Sequence, residues 1–508
     1  MPVFSTLLGS LADIVLDWQF AGVTLGALVV GRIIYDEFFS PIANVPGVRP
    51  HFFGKFLPVY HLIRGNYNNY SAALSERYGK IYRLGKNKVG TTDLETIKLL
   101  YSSTRFNKSE LYRSFEFHRD NIFSTRNVAF HRKLKRMMAP AFSSLAVAEM
   151  EPLVHRAGIA PLVQRLNAHA DDGQTFDIMA VLHYATLDVI GEVAFGESFH
   201  TLTVKPGEKA HPILHWIDDI CYLGLLREGL GVLCNPWLFP RHFESERLLI
   251  DFSRSVIEKR KAETAANADK PKERVDDVLQ RMLDSEDPET GEKMDVDQMI
   301  AETIIQLIAG TDTTALTVTW ALHLLHDHPE TCRLLQKELA EAFPDRNQHF
   351  VHNDLKSLPY LNATIWETLR FRPVGGASQR TIPKGGAVIC GHYFPEGYII
   401  HPATPAVHRL PEIFGEDARE FRPGRWLDSS PDQLKLMRQF ILTFSLGARS
   451  CLGQTLAWIE LRLILATIVR RFSFAVPAGA ETDMTPLFLF TVKPRGNCYN
   501  VQLTHNDV

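Results

Sequence analysis

Cysteine is scarce in this chain: six in 508 residues, at positions 221, 234, 332, 390, 451 and 498. No two are spaced as CxxC, which argues against zinc ribbons and thioredoxin-like chemistry. So few thiols suit a reducing compartment better than secretion. Neither sign of charge dominates. The net charge is −3, which argues against a general nucleic-acid binder. The first 31 residues lack Lys and Arg, so there is no basic n-region of a cleavable signal peptide. Internal repeats are also missing. No uncharged run reaches the roughly 18–20 residues that span a bilayer; the best, residues 18–31, ends at Arg32.

That apolar stretch still reads as a membrane anchor within residues 1–40, a buried or interfacial helix being the alternative. Asp13 and Asp17 precede it, and Arg32, Arg49 and Lys55 follow. The excess of basic residues after it puts the rest of the chain in the cytosol. Pro41, Pro46 and Pro50, with Gly47, form a stiff hinge. The pattern then gives helices in long succession and few strands. Tyr67–Tyr78 is helical, and residues 79–92 form a hairpin. Residues 106–125 form a loop rich in aromatics that needs something to cover. Residues 131–142 carry a basic helix, where Arg132, Lys133 and Arg136 suit an acidic redox partner. Residues 260–277 read as an exposed connection.

Three stretches carry chemistry. Residues 295–326 make a long helix that is apolar on nearly all sides from 304 to 325, hence buried, yet Asp312 and Thr313 stand in its middle. An acid and an alcohol there are costly unless used. Threonine can bond back to the i−4 carbonyl and bend the helix. Glu367 and Arg370 share a helix face, a weak signal on its own. Phe444-Ser-Leu-Gly447-Ala-Arg449-Ser-Cys451-Leu-Gly453 precedes an apolar-faced helix. Free N–H groups and the helix dipole there lower a thiol's pKa. Glycine lets the loop approach a flat group closely.

The pattern Phe-x-x-Gly-x-Arg-x-Cys-x-Gly, together with the other two stretches in this order, resembles the cytochrome P-450 family, covering roughly residues 40–505. The proline-rich linker and residues 121–126 look most like its fungal microsomal members. The resemblance implies a mainly α fold with a minor β part, residues 1–40 being the anchor and start of the hinge and 41–508 one catalytic domain. A b-type haem would lie between the long distal helix and the Cys451 loop, with Cys451 as its axial thiolate and Phe444 and Gly453 in the binding loop. By the same resemblance His131, Lys135, Arg380 and Arg449 meet the haem propionates, although the family usually has other residues at 131 and 135. Asp312 and Thr313 become the proton-delivering pair. Glu367, Arg370 and Arg425 form a bracing network. Phe115, Phe123, Ala309, Val374, Gly375 and Phe488 line the substrate pocket, with Gly376 adding room.

The implied reaction is monooxygenation of a hydrophobic substrate by O2, the steroid, terpenoid and polyketide classes all being open. No flavin- or NADPH-binding pattern is present, so electrons are expected from a separate NADPH-dependent diflavin reductase, with cytochrome b5 as a further donor. The endoplasmic reticulum membrane is the expected location. Two rivals share the haem-thiolate loop: a peroxide isomerase or dehydratase that needs no O2, and a non-enzymatic haem protein. Neither uses the Asp312–Thr313 pair.

Overall fold

A computed structural model describes residues 18, 20–54, 56–204, 211–266, 276–375 and 378–506. Gly376, Lys55, Asp13 and Asp17 lie outside these. Eight helices position the site: α1 (Tyr67–Tyr78), α2 (Val128–Met138), α3 (Ile178–Phe195), α4 (Ile213–Leu230), α5 (Pro240–Ala266), α6 (Val296–Asp327), α7 (Pro359–Phe371) and α8 (Gln454–Arg471). Twelve short strands are described: β1 (Ile81–Arg83), β2 (Lys88–Thr91), β3 (Asn107–Lys108), β4 (Phe176–Asp177), β5 (Arg380–Thr381), β6 (Ala387–Ile389), β7 (His392–Phe394), β8 (Ile399–Pro402), β9 (Phe472–Ala475), β10 (Pro486–Phe488), β11 (Val492–Pro494) and β12 (Asn500–His505). The fold is mainly helical with small sheets, as the sequence implies.

The largest sheet has the order β1-β2-β8-β5-β3. Only the β2–β8 pair is parallel. Its β3–β5 edge sets Lys108 opposite Arg380, two cations that recur below. The predicted hairpin at 79–92 forms, as β1–β2, and β6–β7 make a second one.

Helix α6 is the spine. Asp295 caps it, accepting the Gln298 N–H at 2.8 Å. Its 32 residues span about 48 Å at 1.5 Å each. Helix α3 is apolar on all sides and long enough to cross a membrane, but 83% of it is buried; it is a core helix packed along α6. The approach is close because Gly310 has no side chain: a Cβ there would lie 2.7 Å from Ile190. Next to it, Thr186 Oγ1 on α3 donates to the Thr311 carbonyl at 2.8 Å.

Four expectations differ in detail. The back-bonds expected in α6 form, Thr311 to Leu307 and Thr313 to Ala309, each at 2.8 Å, but the helix continues unbroken. The aromatics of 106–125 turn inward: Tyr112, Phe115 and Phe117 are buried, because a short 3₁₀ segment, Glu110–Phe115, folds them onto α4. Residues 260–277 are not simply exposed, since Arg260 and Asp277 are both buried and pair at 2.8 Å. The proline-rich segment is packed rather than free. Ile42 and Val45 are buried with β1 and β2 residues, and Arg83 reaches the Asp36 carbonyl at 3.1 Å. Arg32 spends its charge on Asp36, 2.6 Å away.

Residues 20–34 are helical and present apolar side chains outward, Phe20 being 76% exposed. The remainder of the expected anchor, residues 1–17 and 19, lies outside the described residues.

Candidate active site

The Cys451 loop runs from Leu442 to Gly453 and leads into α8. It is tied on three sides. Cys451 N–H donates to the Phe444 carbonyl at 2.8 Å. Lys135 Nζ on α2 donates to the Ala448 carbonyl at 2.8 Å. Arg449 Nη1 donates to the Thr125 carbonyl at 3.0 Å. The tight part of the loop needs a glycine. Gly447 has φ +67°, and a Cβ there would sit 2.0 Å from the Tyr101 carbonyl oxygen. Gly447→Ala is therefore expected to lower stability by about 2–4 kcal/mol, from left-handed strain plus overpacking against backbone. A lower urea midpoint with an unchanged m-value measures it. At Gly453, by contrast, a Cβ would meet nothing within 4 Å.

The Cys451 side chain is accessible. Its thiol is not lowered as the helix terminus suggests. The surrounding protein raises it, and the Gly453 N–H and Lys135 only partly oppose that. Desolvation of the anion outweighs the dipole when no cation sits directly against the sulfur.

Beside the loop opens a cavity of about 420 Å³, its wall including Tyr101, His131, Lys135, Arg380, Ala448 and Arg449. Lys108, Lys135, Arg380 and Arg449 have no ion-pair partner among the described residues, and Arg449 Nη2 is buried with no hydrogen bond. Burial and the neighbouring Arg380 push Arg449 down to about 10. Burial, Arg449 and Arg380 push Lys108 well below its ordinary value. His131 falls to about 3 through burial and the charges of Arg449, Lys108 and Lys135, so it is neutral. Arg380 lies over the Tyr101 ring at 4.9 Å. Uncompensated cations converging on one cavity cost several kcal/mol unless an anion completes them. A flat dianion such as a haem fits this donor set. Sequence reasoning missed Lys108; its register opposite Arg380 is visible only in the sheet.

On α6, residues 309, 310, 312 and 313 are partly buried or exposed, in a helix most of whose middle is buried. Thr313 Oγ1 donates to the Ala309 carbonyl, which leaves its lone pairs to accept. Asp312 Oδ1 lies 3.6 Å from His183 Nε2 on α3. Burial raises the Asp312 carboxyl.

The bracing network assembles fully. Arg370 binds Glu367 through Nε at 2.8 Å and Nη2 at 2.7 Å. Arg425 Nε reaches Glu367 at 3.0 Å. The sequence did not reveal three further members. Trp426 Nε1 donates to Glu367 at 2.9 Å. Asp417 accepts from Arg425 at 2.7 Å. His408 accepts the Leu442 N–H at 2.8 Å while sitting 2.9 Å from the Arg370 carbonyl. Thr443 Oγ1 adds a bond to the Leu369 carbonyl at 2.8 Å. The network thus grips the start of the Cys451 loop.

The six pocket residues do not all meet. Phe115 and Phe123 pack together, with ring centroids 5.9 Å apart, and both contact Phe490 at 4.8 and 6.0 Å. Phe490, which sequence reasoning passed over, closes this cluster. Phe488 lies apart, 6.4 Å from Tyr67, with its N–H on the Gly65 carbonyl. Val374 is buried and accepts the Val492 N–H at 3.1 Å. Gly375 makes room for the Thr443 carbonyl, 2.9 Å from where its Cβ would be. Ala309 is exposed on α6. A buried carboxyl unforeseen in the sequence, Glu302 on α6, accepts the Ile122 N–H at 3.0 Å; burial pushes it up to about 8. Of the basic α2 residues, Lys133 pairs with Glu292 and Arg136 with Asp287, whereas Arg132 stays exposed.

The family model described as cytochrome P450 matches residues 45–501. The cytochrome P450 monooxygenase helB1 of Aspergillus fumigatus is 28% identical over 93% of this chain and 84% of its own length. The pisatin demethylase of Fusarium vanettenii is 27% identical over 94% of both chains. The trichothecene C-15 hydroxylase of Fusarium sporotrichioides is 28% identical over 94% of this chain and 96% of its own. With a family model spanning most of its length and relatives named as monooxygenases and hydroxylases, the chain belongs to the cytochrome P450 family of haem-thiolate monooxygenases.

Proposed function

We propose that this protein hydroxylates an apolar, ring-bearing secondary metabolite, with Cys451 as the residue whose sulfur would hold the iron of a b-type haem. The observation that carries the reading is the set of unpaired cations around the cavity beside Cys451. When bound, the haem supplies oxidation of a C–H bond by O2 and two electrons, one oxygen atom entering the substrate and the other leaving as water. Arg380, Arg449, His131 and Lys108 would hold the propionates, and Lys135 steadies the loop through Ala448. Thr313, its own proton committed to Ala309, accepts a hydrogen bond from water and orients it, while Asp312 passes protons inward.

The Phe115–Phe123–Phe490 cluster supplies an aromatic wall that excludes water and favours a rigid apolar guest. Terpenoid, polyketide and steroid skeletons all fit that description. Among the relatives, one is named for pisatin demethylation and one for trichothecene hydroxylation. Electrons come from an NADPH-dependent diflavin reductase, with cytochrome b5 as a second donor, docking near Arg132. Residues 1–40 anchor the enzyme in the endoplasmic reticulum membrane, and 41–508 form the cytosolic catalytic domain. Exposed apolar groups at Val232, Trp237 and residues 20–34 support contact with a bilayer.

The test reconstitutes the purified protein with reductase and NADPH and screens terpenoid and polyketide panels for substrate-induced spectral shifts and hydroxylated products. Turnover of a hydroperoxide without NADPH or reductase, and none with them, would favour the isomerase instead. In the same assay Thr313→Ala is expected to keep NADPH consumption while product per NADPH falls about tenfold or more, with peroxide released. Unchanged coupling would refute the role given to Thr313.

A further inference from the structure

We infer that His183, on α3, is the residue that resupplies protons to Asp312 and thereby sets the direction of proton flow toward Thr313 on α6. This rests on the monooxygenase reading above and adds to it a residue outside every sequence motif. The two side chains face each other at 3.6 Å. Both keep some access to solvent, 17% for His183 and 14% for Asp312.

The tautomer follows from the other ring nitrogen. His183 Nδ1 lies 2.8 Å from the Met179 carbonyl. A carbonyl can only accept, so Nδ1 carries a hydrogen. Nε2 is then the nitrogen that gains and loses a proton, and it is the one turned to Asp312. The register is held. One turn further along α3, Thr186 is bonded to the Thr311 carbonyl, and Ile190 seats on Gly310.

The surroundings favour transfer over a static ion pair. Asp218 and Cys221 on α4 and Lys493 on β11 are the other charged or titratable groups acting on Asp312 and its neighbours. Burial and Asp218 raise the carboxyl; His183 and Lys493 oppose. Cys221 is pushed well above its ordinary value, by burial and then Asp312 and Asp218, so it stays a thiol and takes no part.

The protons balance. Asp312, as the neutral acid, releases its proton toward the water held by Thr313 and becomes a carboxylate. The His183 imidazolium gives its Nε2 proton to that carboxylate and becomes neutral imidazole. Water at the partly exposed ring returns a proton to Nε2. The 3.6 Å gap is bridged by a small side-chain rotation or by one water. His183 touches neither substrate nor haem; it acts through Asp312 and is a positioning residue.

The experiment uses the haem-loaded full chain with reductase and NADPH, and 7-ethoxycoumarin as the probe substrate. Product per NADPH is read across a pH series; in the native protein it should fall as pH rises, because proton resupply slows. His183→Gln should keep the carbonylated haem-thiolate band, lower product per NADPH about threefold or more, and flatten that pH dependence. Asp312→Asn should lose coupling too, and the double variant should be no worse than Asp312→Asn alone. A band intact with coupling and pH profile unchanged in His183→Gln would overturn the inference and leave the monooxygenase reading standing. A native protein with no such band would sink that reading itself.

Discussion

Cys451→Ala should yield a folded protein without the haem-thiolate absorbance and without NADPH-dependent turnover. The fold should survive because the loop is held by other atoms. Cys451 donates its backbone N–H to the Phe444 carbonyl, and alanine keeps that bond; only the Gly453 N–H contact to the sulfur is lost. The loop's remaining ties run through Lys135, Arg449 and Thr443. The side chain itself is accessible, so its removal opens no core cavity. Losing the outer partner of a metal ligand already costs 10–100-fold; losing the sulfur itself should cost more, at least about 10³-fold in turnover. The carbonylated, reduced spectrum and far-UV circular dichroism read the two effects separately. Cys390→Ala is the control. That cysteine sits in the β6–β7 turn at φ +49°, its Sγ 3.6 Å from Thr96 Oγ1, and its loss should leave the spectrum unchanged. Should Cys451→Ala retain the band, or Cys390→Ala lose it, the ligand has been assigned to the wrong sulfur.

What could be read from the chain was what is local in it. The Cys451 loop, the Asp312–Thr313 pair and the Glu367–Arg370 face each lie within ten residues, so spacing alone shows them. The partners that complete them come from far away. His183 meets Asp312 across 129 positions of chain, through a helix whose apolar pattern says only that it is buried. Trp426, Asp417 and His408 join Glu367 and Arg370 through buried loops with no period to betray them. Phase was the other limit. Along β10 side chains alternate in direction, so Phe488 and its neighbour Leu489 could not be told apart, and it is Phe490, beyond the end of the strand, that packs against Phe115. Aromatics that look exposed in an irregular stretch were buried, because hydrophobic gain does not require periodicity.

The bracing network predicts the largest loss of stability. Glu367 and Arg370 are wholly buried and Arg425 nearly so, and with Asp417 the charges sum to zero. Glu367 accepts from Arg370, Arg425, Trp426 and the Arg422 N–H, so its two oxygens are saturated. Glu367→Gln keeps the volume but replaces one oxygen by an amide that faces donors. Two guanidinium groups are then left under-compensated in the interior. The expected cost is about 3–5 kcal/mol, enough to unfold a domain of ordinary stability. Trp426→Phe removes one donor without stranding a charge and should cost about 1–3 kcal/mol. Acid should act like the glutamine. Burial opposes the charge on Asp417, but the Arg422 and Arg425 hydrogen bonds outweigh it and hold that carboxyl below its usual range. Its stabilisation is therefore present above the unfolded-state pKa of about 3.9 and lost as pH falls through the lower folded value. The damage should reach the Cys451 loop before the whole fold. His408 is pushed down to about 3, chiefly by burial, and its neutral ring joins the Arg370 carbonyl to the Leu442 N–H. In urea, Glu367→Gln should release haem at a lower concentration than that at which helicity is lost, whereas the native protein should lose both together. Coincident transitions in the variant would mean that the network holds the domain as a whole and gives the loop no separate support.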